Sequence, residues 1–152
     1  MDNWDDSTPV EFVEGLQLER VYEYGGNCVT IIDDLALHSQ KKTADLFLVG
    51  SHHLQTTVFY LTQTLFPRDE YARMMVQNAH YLVLFGDMRS QRQINTLSHQ
   101  IFTSEERCRL INAFTKAINT PFEFVLLTFV QGIPRQLTVI CDYWSDNPTV
   151  FL

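Results

Sequence analysis

Apolar residues in this chain fall into two alternating rhythms. Short runs rich in β-branched side chains lie at 10–15 (VEFVEG), 28–33 (CVTIID), 56–63 (TTVFYLTQ) and 80–86 (HYLVLFG), and each predicts a strand. Helical signals lie between them. Residues 39–50 predict a helix closed by Gly50. Pro67 opens another through about Val76, with Asp69 and Glu70 in its first turn, where the helix dipole favours carboxylates. Ser90 followed by Gln93 has the form of a capping box, and Ile94, Leu97 and Ile101 follow at helical spacing. Thr103 and Glu106 repeat that form ahead of Ile111, Phe114 and Ile118, until Asn119-Thr120-Pro121 ends the helix. Residues 122–129 and 137–144, joined through Gly132-Ile133-Pro134, predict a closing C-terminal strand pair. Buried runs alternating with helices imply an α/β fold with a mostly parallel sheet and ligands at the carboxyl ends of its strands. No repeat, low-complexity tract or linker interrupts the pattern, so residues 1–152 are expected to form a single domain.

An apolar content of 45% suffices for one sizeable core, and a charged content of only 19% excludes a chain disordered by composition. The net charge of −7 argues against a protein whose main task is to coat nucleic acid. The charge is uneven, however. Residues 1–23 hold seven acids against one base, Arg20, while six of the eleven basic residues lie between Arg68 and Arg109, which leaves room for a local basic face. Cys28, Cys108 and Cys141 are odd in number, too widely spaced for a zinc site and set in apolar runs or helical patterns, so buried free thiols are expected. The acidic start MDNWDDSTP is no secretory signal, and no apolar run is long enough to cross a membrane. The expectation is a reducing, intracellular location without membrane partners.

The run CVTIIDDL, Cys28 to Leu35, carries the first chemical signal. Residues Val29 to Ile32 would lift Asp33 and Asp34 to the carboxyl end of a strand, in the manner of a Walker B element. There the first carboxylate holds Mg²⁺ through water and the second orients or deprotonates an attacking water. A strand that ends in an aspartate-stabilised turn has the same sequence, and on this run alone that plainer reading is the better one. Gln63 ends the next strand run, where an amide can sense a γ-phosphate or merely mark a strand that surfaces. In Gly50-Ser51-His52-His53 the adjacent histidines point in different directions, which suits a surface loop better than a metal pair. His80, at the start of a strand, reads as hydrogen-bonded structure. Arg89 and Arg92 follow the fourth strand, as phosphate contacts, as an arginine finger acting in trans, or as a solvated pair.

Taken in order, FVEGL, CVTIIDDL, ADLFLVGSHH, VFYLTQTLFP, NAHYLVLFGDMRSQRQINTL and PFEFVLL resemble the DNA-packaging ATPases of Polinton-type elements and large DNA viruses. These belong to the FtsK–HerA class of P-loop motors, with the poxvirus-type packaging ATPase among them. The likeness runs from about Trp4 to Leu127, and the GSHH, Q-x-x-F and N-A-H-Y segments are more specific than the acidic strand. It implies a RecA-like sheet and a homo-oligomeric ring that drives double-stranded DNA into a capsid, in the host nucleus or cytoplasm and in the virion. It implies ATP and Mg²⁺ as cofactors. By position, Asp33 would hold Mg²⁺, Asp34 would be the catalytic carboxylate and Gln63 the sensor, all three at the nucleotide, and Arg89 matches an arginine common after the fourth strand. His52 and His53 match a characteristic pair.

Several positions depart from that family. Val49 and Leu54 stand where it usually has basic residues around GSHH, and Ser90 stands where an aspartate is common. The largest departure is the phosphate-cradling loop GxxxxGK[ST]. None of Gly15, Gly25, Gly26, Gly50, Gly86 or Gly132 precedes a lysine. In this sheet class the loop's strand lies between the sensor strand and the strand after it, so both would lose a partner unless they pair with each other. The chain therefore reads as the C-terminal part of an ATPase domain. A missing N-terminal segment would supply the loop in cis or from a partner chain, and the chain alone is expected not to hydrolyse ATP. The alternative is a degenerate, non-hydrolysing binding or assembly module of the same descent. An unrelated α/β domain is the third reading.

Overall fold

The computed structural model describes residues 9–15, 17–24, 28–33 and 40–151. Its contacts divide into two units, Met1–Gln63 and Thr64–Leu152, and the fold is mixed α/β.

In the first unit, helix α1 (Leu18–Glu23) precedes β1 (Val29–Asp33), and helical chain then runs through α2 (Gln40–Asp45) to α3 (Ser51–His53) before β2 (Thr57–Leu61). β1 and β2 pair in parallel, Val29 beside Thr57 through to Asp33 beside Leu61. Because side chains alternate along a strand, Val29, Ile31, Phe59 and Leu61 share one face, and all four are exposed. Ile32, on the opposite face of β1, is buried.

Two sequence expectations fail in this unit. The strand expected at 10–15 does not form. Its few apolar residues are broken by Glu11, Glu14 and Gly15, and Glu11 accepts a 2.8 Å hydrogen bond from the Tyr24 hydroxyl and pairs with Arg20 at 3.5 Å. Phe12 is left 94% exposed. The helix expected to end at Gly50 continues to His53. Leu46–Gly50 forms a π-helical turn in which the Ser51 N–H reaches the Leu46 carbonyl, so the extra residue is absorbed without breaking the helix. Gly50 lies inside that turn, where a Cβ would come within 2.9 Å of Leu46 Cδ1.

The second unit comprises α4 (Glu70–Asn78), β3 (Tyr81–Phe85), α5 (Gln91–Ile101), α6 (Arg107–Ile118), β4 (Phe124–Thr128), β5 (Val139–Cys141) and β6 (Thr149–Val150). Asp69 caps α4, accepting from the Ala72 N–H at 3.0 Å. The strands form one antiparallel sheet in the order β3-β4-β5-β6. One face, with Leu84, Val125, Leu127, Val139 and Cys141, packs on Ile94 and Leu97 of α5 and on Leu110, Ala113, Phe114 and Ala117 of α6. Each such fully buried aliphatic side chain contributes roughly 1.5–3 kcal/mol. Gly86 lets the end of β3 approach α6, since a Cβ there would lie 2.4 Å from the Ala117 carbonyl oxygen.

The mostly parallel sheet expected from the sequence is therefore confined to β1 and β2; the other three pairings are antiparallel. β4, β5 and β6 follow one another without an intervening α-helix and pair as successive antiparallel neighbours; for β3 and β4 the cause is the helix count between them. One helical traverse returns the chain parallel to its starting strand, but α5 and α6 between β3 and β4 are two, and the chain comes back antiparallel. The closing strand pair is present as β4 and β5. Among the described residues β1 is the strand that β2 pairs with and β4 the strand that β3 pairs with.

Candidate strand-end site

Asp33 is the last residue of β1 and is solvent-exposed. Its parallel partner Leu61 ends β2, and Gln63, also exposed, follows two residues later. Parallel pairing thus brings Asp33 and Gln63 to the same, carboxyl end of one sheet. Asp34 lies outside the described residues. A single carboxylate on a solvated strand end fits a Mg²⁺ that keeps most of its water and takes its remaining ligands from phosphate. Among the described residues no three of His, Cys, Asp and Glu gather to hold a metal without such help.

The chain just past Gln63 is pinned. Gln93 accepts hydrogen bonds from the Leu65 N–H at 2.8 Å and the Thr64 hydroxyl at 3.2 Å. The capping box expected of Ser90 and Gln93 is consequently not made, and no side chain caps the start of α5.

Arg89 belongs to the other unit, in a 3₁₀ turn of Met88–Ser90 just beyond β3. Its side chain is 92% exposed, and its Nε donates to the Asp87 carboxylate at 3.3 Å. Asp87 also accepts from the Arg89 N–H at 3.1 Å, and that bond, ahead of the guanidinium, holds its carboxyl below the usual range. Asp87 was not singled out from sequence; the spacing Asp-x-Arg straight after a strand was the available signal. Arg92 is exposed on the first turn of α5.

His52 and His53 are exposed on α3, not in the loop expected of them. Consecutive helical positions are about 100° apart, so the two imidazoles do not converge. Val49, where the resembling family carries a base, is 54% exposed, and Leu54 is half-buried. The three thiols are free, but only Cys141 shows in full the burial expected of them: Cys28 is half-buried and Cys108 exposed, on the solvent side of α6. No described helix is long and apolar enough to cross a membrane. The chain matches no protein-family model, no curated protein and no solved structure.

Proposed function

We propose that this chain carries the acidic-strand and sensor portion of a P-loop ATPase domain of the viral and Polinton DNA-packaging class, an incomplete RecA-like sheet without its phosphate-loop strand. The supporting observation is the parallel β1–β2 pair, which sets Asp33 and Gln63 at one strand end while the other edge of β2 carries no strand among the described residues. In this reading Asp33 holds Mg²⁺ through water, Asp34 orients the attacking water and Gln63 meets the γ-phosphate. In the same reading Arg89, whose exposed side chain pairs with Asp87, would meet a phosphate supplied by a neighbour in a ring. Bound Mg·ATP would supply the phosphoryl chemistry. The residues to cradle its triphosphate are not in this sequence, so hydrolysis needs a segment bearing GxxxxGK[ST], in cis or from a partner chain. Double-stranded DNA and capsid protein are the further partners of this reading.

The exposed Val49 favours a second reading, in which the chain is a non-hydrolysing module of the same descent, because an apolar side chain replaces a surface base there. Steady-state ATPase assays separate the two. The chain alone should be inactive. Co-folded with a segment carrying the phosphate-loop strand, it should hydrolyse ATP, and Asp33→Asn should lower that rate about 100-fold or more. A stable complex without hydrolysis would support the binding module. Micromolar Mg·ATP binding by the chain alone, lost in Asp33→Ala, would overturn both.

A further inference from the structure

Aromatic side chains gather in solvent at one end of the antiparallel sheet. β4 starts there at Phe124, preceded by Phe122 and Glu123, and β5 leaves there through Asp142, Tyr143 and Trp144. Glu123 ties the two stretches together, accepting from the Asp142 N–H at 3.1 Å. Phe122 is 98% exposed, Trp144 83% and Tyr143 45%. Phe122 also holds a left-handed backbone (φ 61°), which bulky side chains seldom adopt and which clusters at binding sites when they do. Tyr143 and Trp144 stand edge to face, with ring centroids 5.1 Å apart and planes at 85°.

Perpendicular rings leave a corner with a π face on each wall, and a cation seated in it lies within about 6 Å of both centroids. The charges select the same occupant. Residues 121–130 and 141–151 hold Glu123, Asp142 and Asp146 and no lysine, arginine or histidine. Lys116 answers Asp142. Asp146, exposed two residues past Trp144, makes no ion pair or side-chain hydrogen bond among the described residues. A phosphate or other anion would meet uncompensated carboxylates here, and an apolar ligand would leave them unused.

We propose that the β5–β6 turn, with Phe122 at the same sheet end, binds a weakly hydrated cation carried by a partner polypeptide: the guanidinium of an arginine or the head of a methylated lysine. The corner offers π faces and a carboxylate but few acceptors, so an unmodified lysine ammonium, which holds its water strongly, is the poorer fit. Two solvated cation–π contacts raise affinity only about tenfold, too little to hold a free solute. A polypeptide adds contact with Phe122 and with Phe85, which is 66% exposed and packs on Phe124 at this same end. None of these residues belongs to the ATPase reading, and the inference does not rest on it.

End-capped hexapeptides with a central arginine, trimethyl-lysine, lysine or norleucine, titrated to about 20 mM, test it by NMR of the backbone amides of residues 142–146 in the full chain. The arginine peptide, the trimethyl-lysine peptide or both should shift these signals saturably, at least about threefold more tightly than lysine, and norleucine should not bind. Trp144→Leu should weaken binding about fivefold and Tyr143→Leu about threefold, with signals elsewhere in the sheet unmoved. Asp146→Asn should weaken it about twofold at low salt and less at about 0.5 M. Phe12→Leu, another exposed aromatic, should change nothing. No saturable shift with any peptide, lysine or norleucine binding as tightly as the better cation, or full affinity in both Trp144→Leu and Tyr143→Leu would overturn the proposal. No readout involves nucleotide, so failure here is separate from failure of the ATPase assay.

Discussion

Asp142 shows how a single residue can hold a left-handed backbone (φ 53°) that most side chains avoid. Its carboxylate accepts from Lys116 Nζ and, at 2.6 Å, from the Thr149 hydroxyl, while its N–H donates to Glu123 at 3.1 Å. Lys116, ahead of Thr149, holds the Asp142 carboxyl below its ordinary value, and Asp142 in turn raises the Lys116 ammonium. The signs set the pH window. The depressed carboxyl contributes stability that is complete above the ordinary aspartate value of about 3.9 and is lost as pH falls through its lower folded value. The raised ammonium contributes stability below about 10.4 that is lost as pH rises through its higher folded value. Asn tolerates the left-handed region well, so Asp142→Asn removes charge and spares the backbone. With both side chains partly solvated, it should cost about 1 kcal/mol in urea unfolding at pH 7, and the difference from the unaltered protein should shrink progressively as pH falls below about 3.9. This cluster was illegible in the sequence, because Lys116 meets partners 26 and 33 positions away and no periodicity marks such a meeting. Asp33 and Gln63 were legible as strand-end residues, because each closes an apolar run whose length alone places it there.

Elements with a strong period were legible: β1 to β5, α5 and α6 stand where the runs of branched and aromatic residues put them. The two capping signals divide instructively. Thr103 and Glu106 do engage, the Thr103 N–H and hydroxyl donating to Glu106 at 3.2 and 2.8 Å, and the ion pairs that Glu106 also makes with Arg135 and Arg109 hold its carboxylate in place. The matching pair at Ser90 and Gln93 fails because the Leu65 N–H claims the glutamine. A local motif is thus a competition that a distant donor can win. Strand direction was misread even though α5 and α6, the two helices that reverse the chain between β3 and β4, were themselves legible. Where β3 ends against α6, Gly86→Ala would force its methyl onto the backbone of Ala117 and should destabilise the protein by about 1–3 kcal/mol, read as a lowered urea midpoint with the m-value unchanged.

At the scale of the molecule, the two units differ in what supports them. The first has a parallel sheet of only two described strands, with Val29, Ile31, Phe59 and Leu61 on an open face, and so small a sheet is marginal by itself. The second joins four strands to a buried helical layer. Native-state hydrogen exchange should follow that difference, with the β1 and β2 amides exchanging at least about tenfold faster than those of β4. Comparable protection in both would show that the first unit is supported by more than its own two strands. The cysteines of the second unit add a property of their own. Cys108 is exposed on α6, whereas Cys141 is fully buried, and burial, ahead of the Glu123 charge, pushes its thiol up to about 11. Near neutral pH the first sulfur is open to an alkylating reagent from the outset, while the second stays protonated and shielded until the sheet parts from its helices. The chain thus carries a built-in stopwatch: one thiol starts the count, and the delay before the other reacts times the opening of the core.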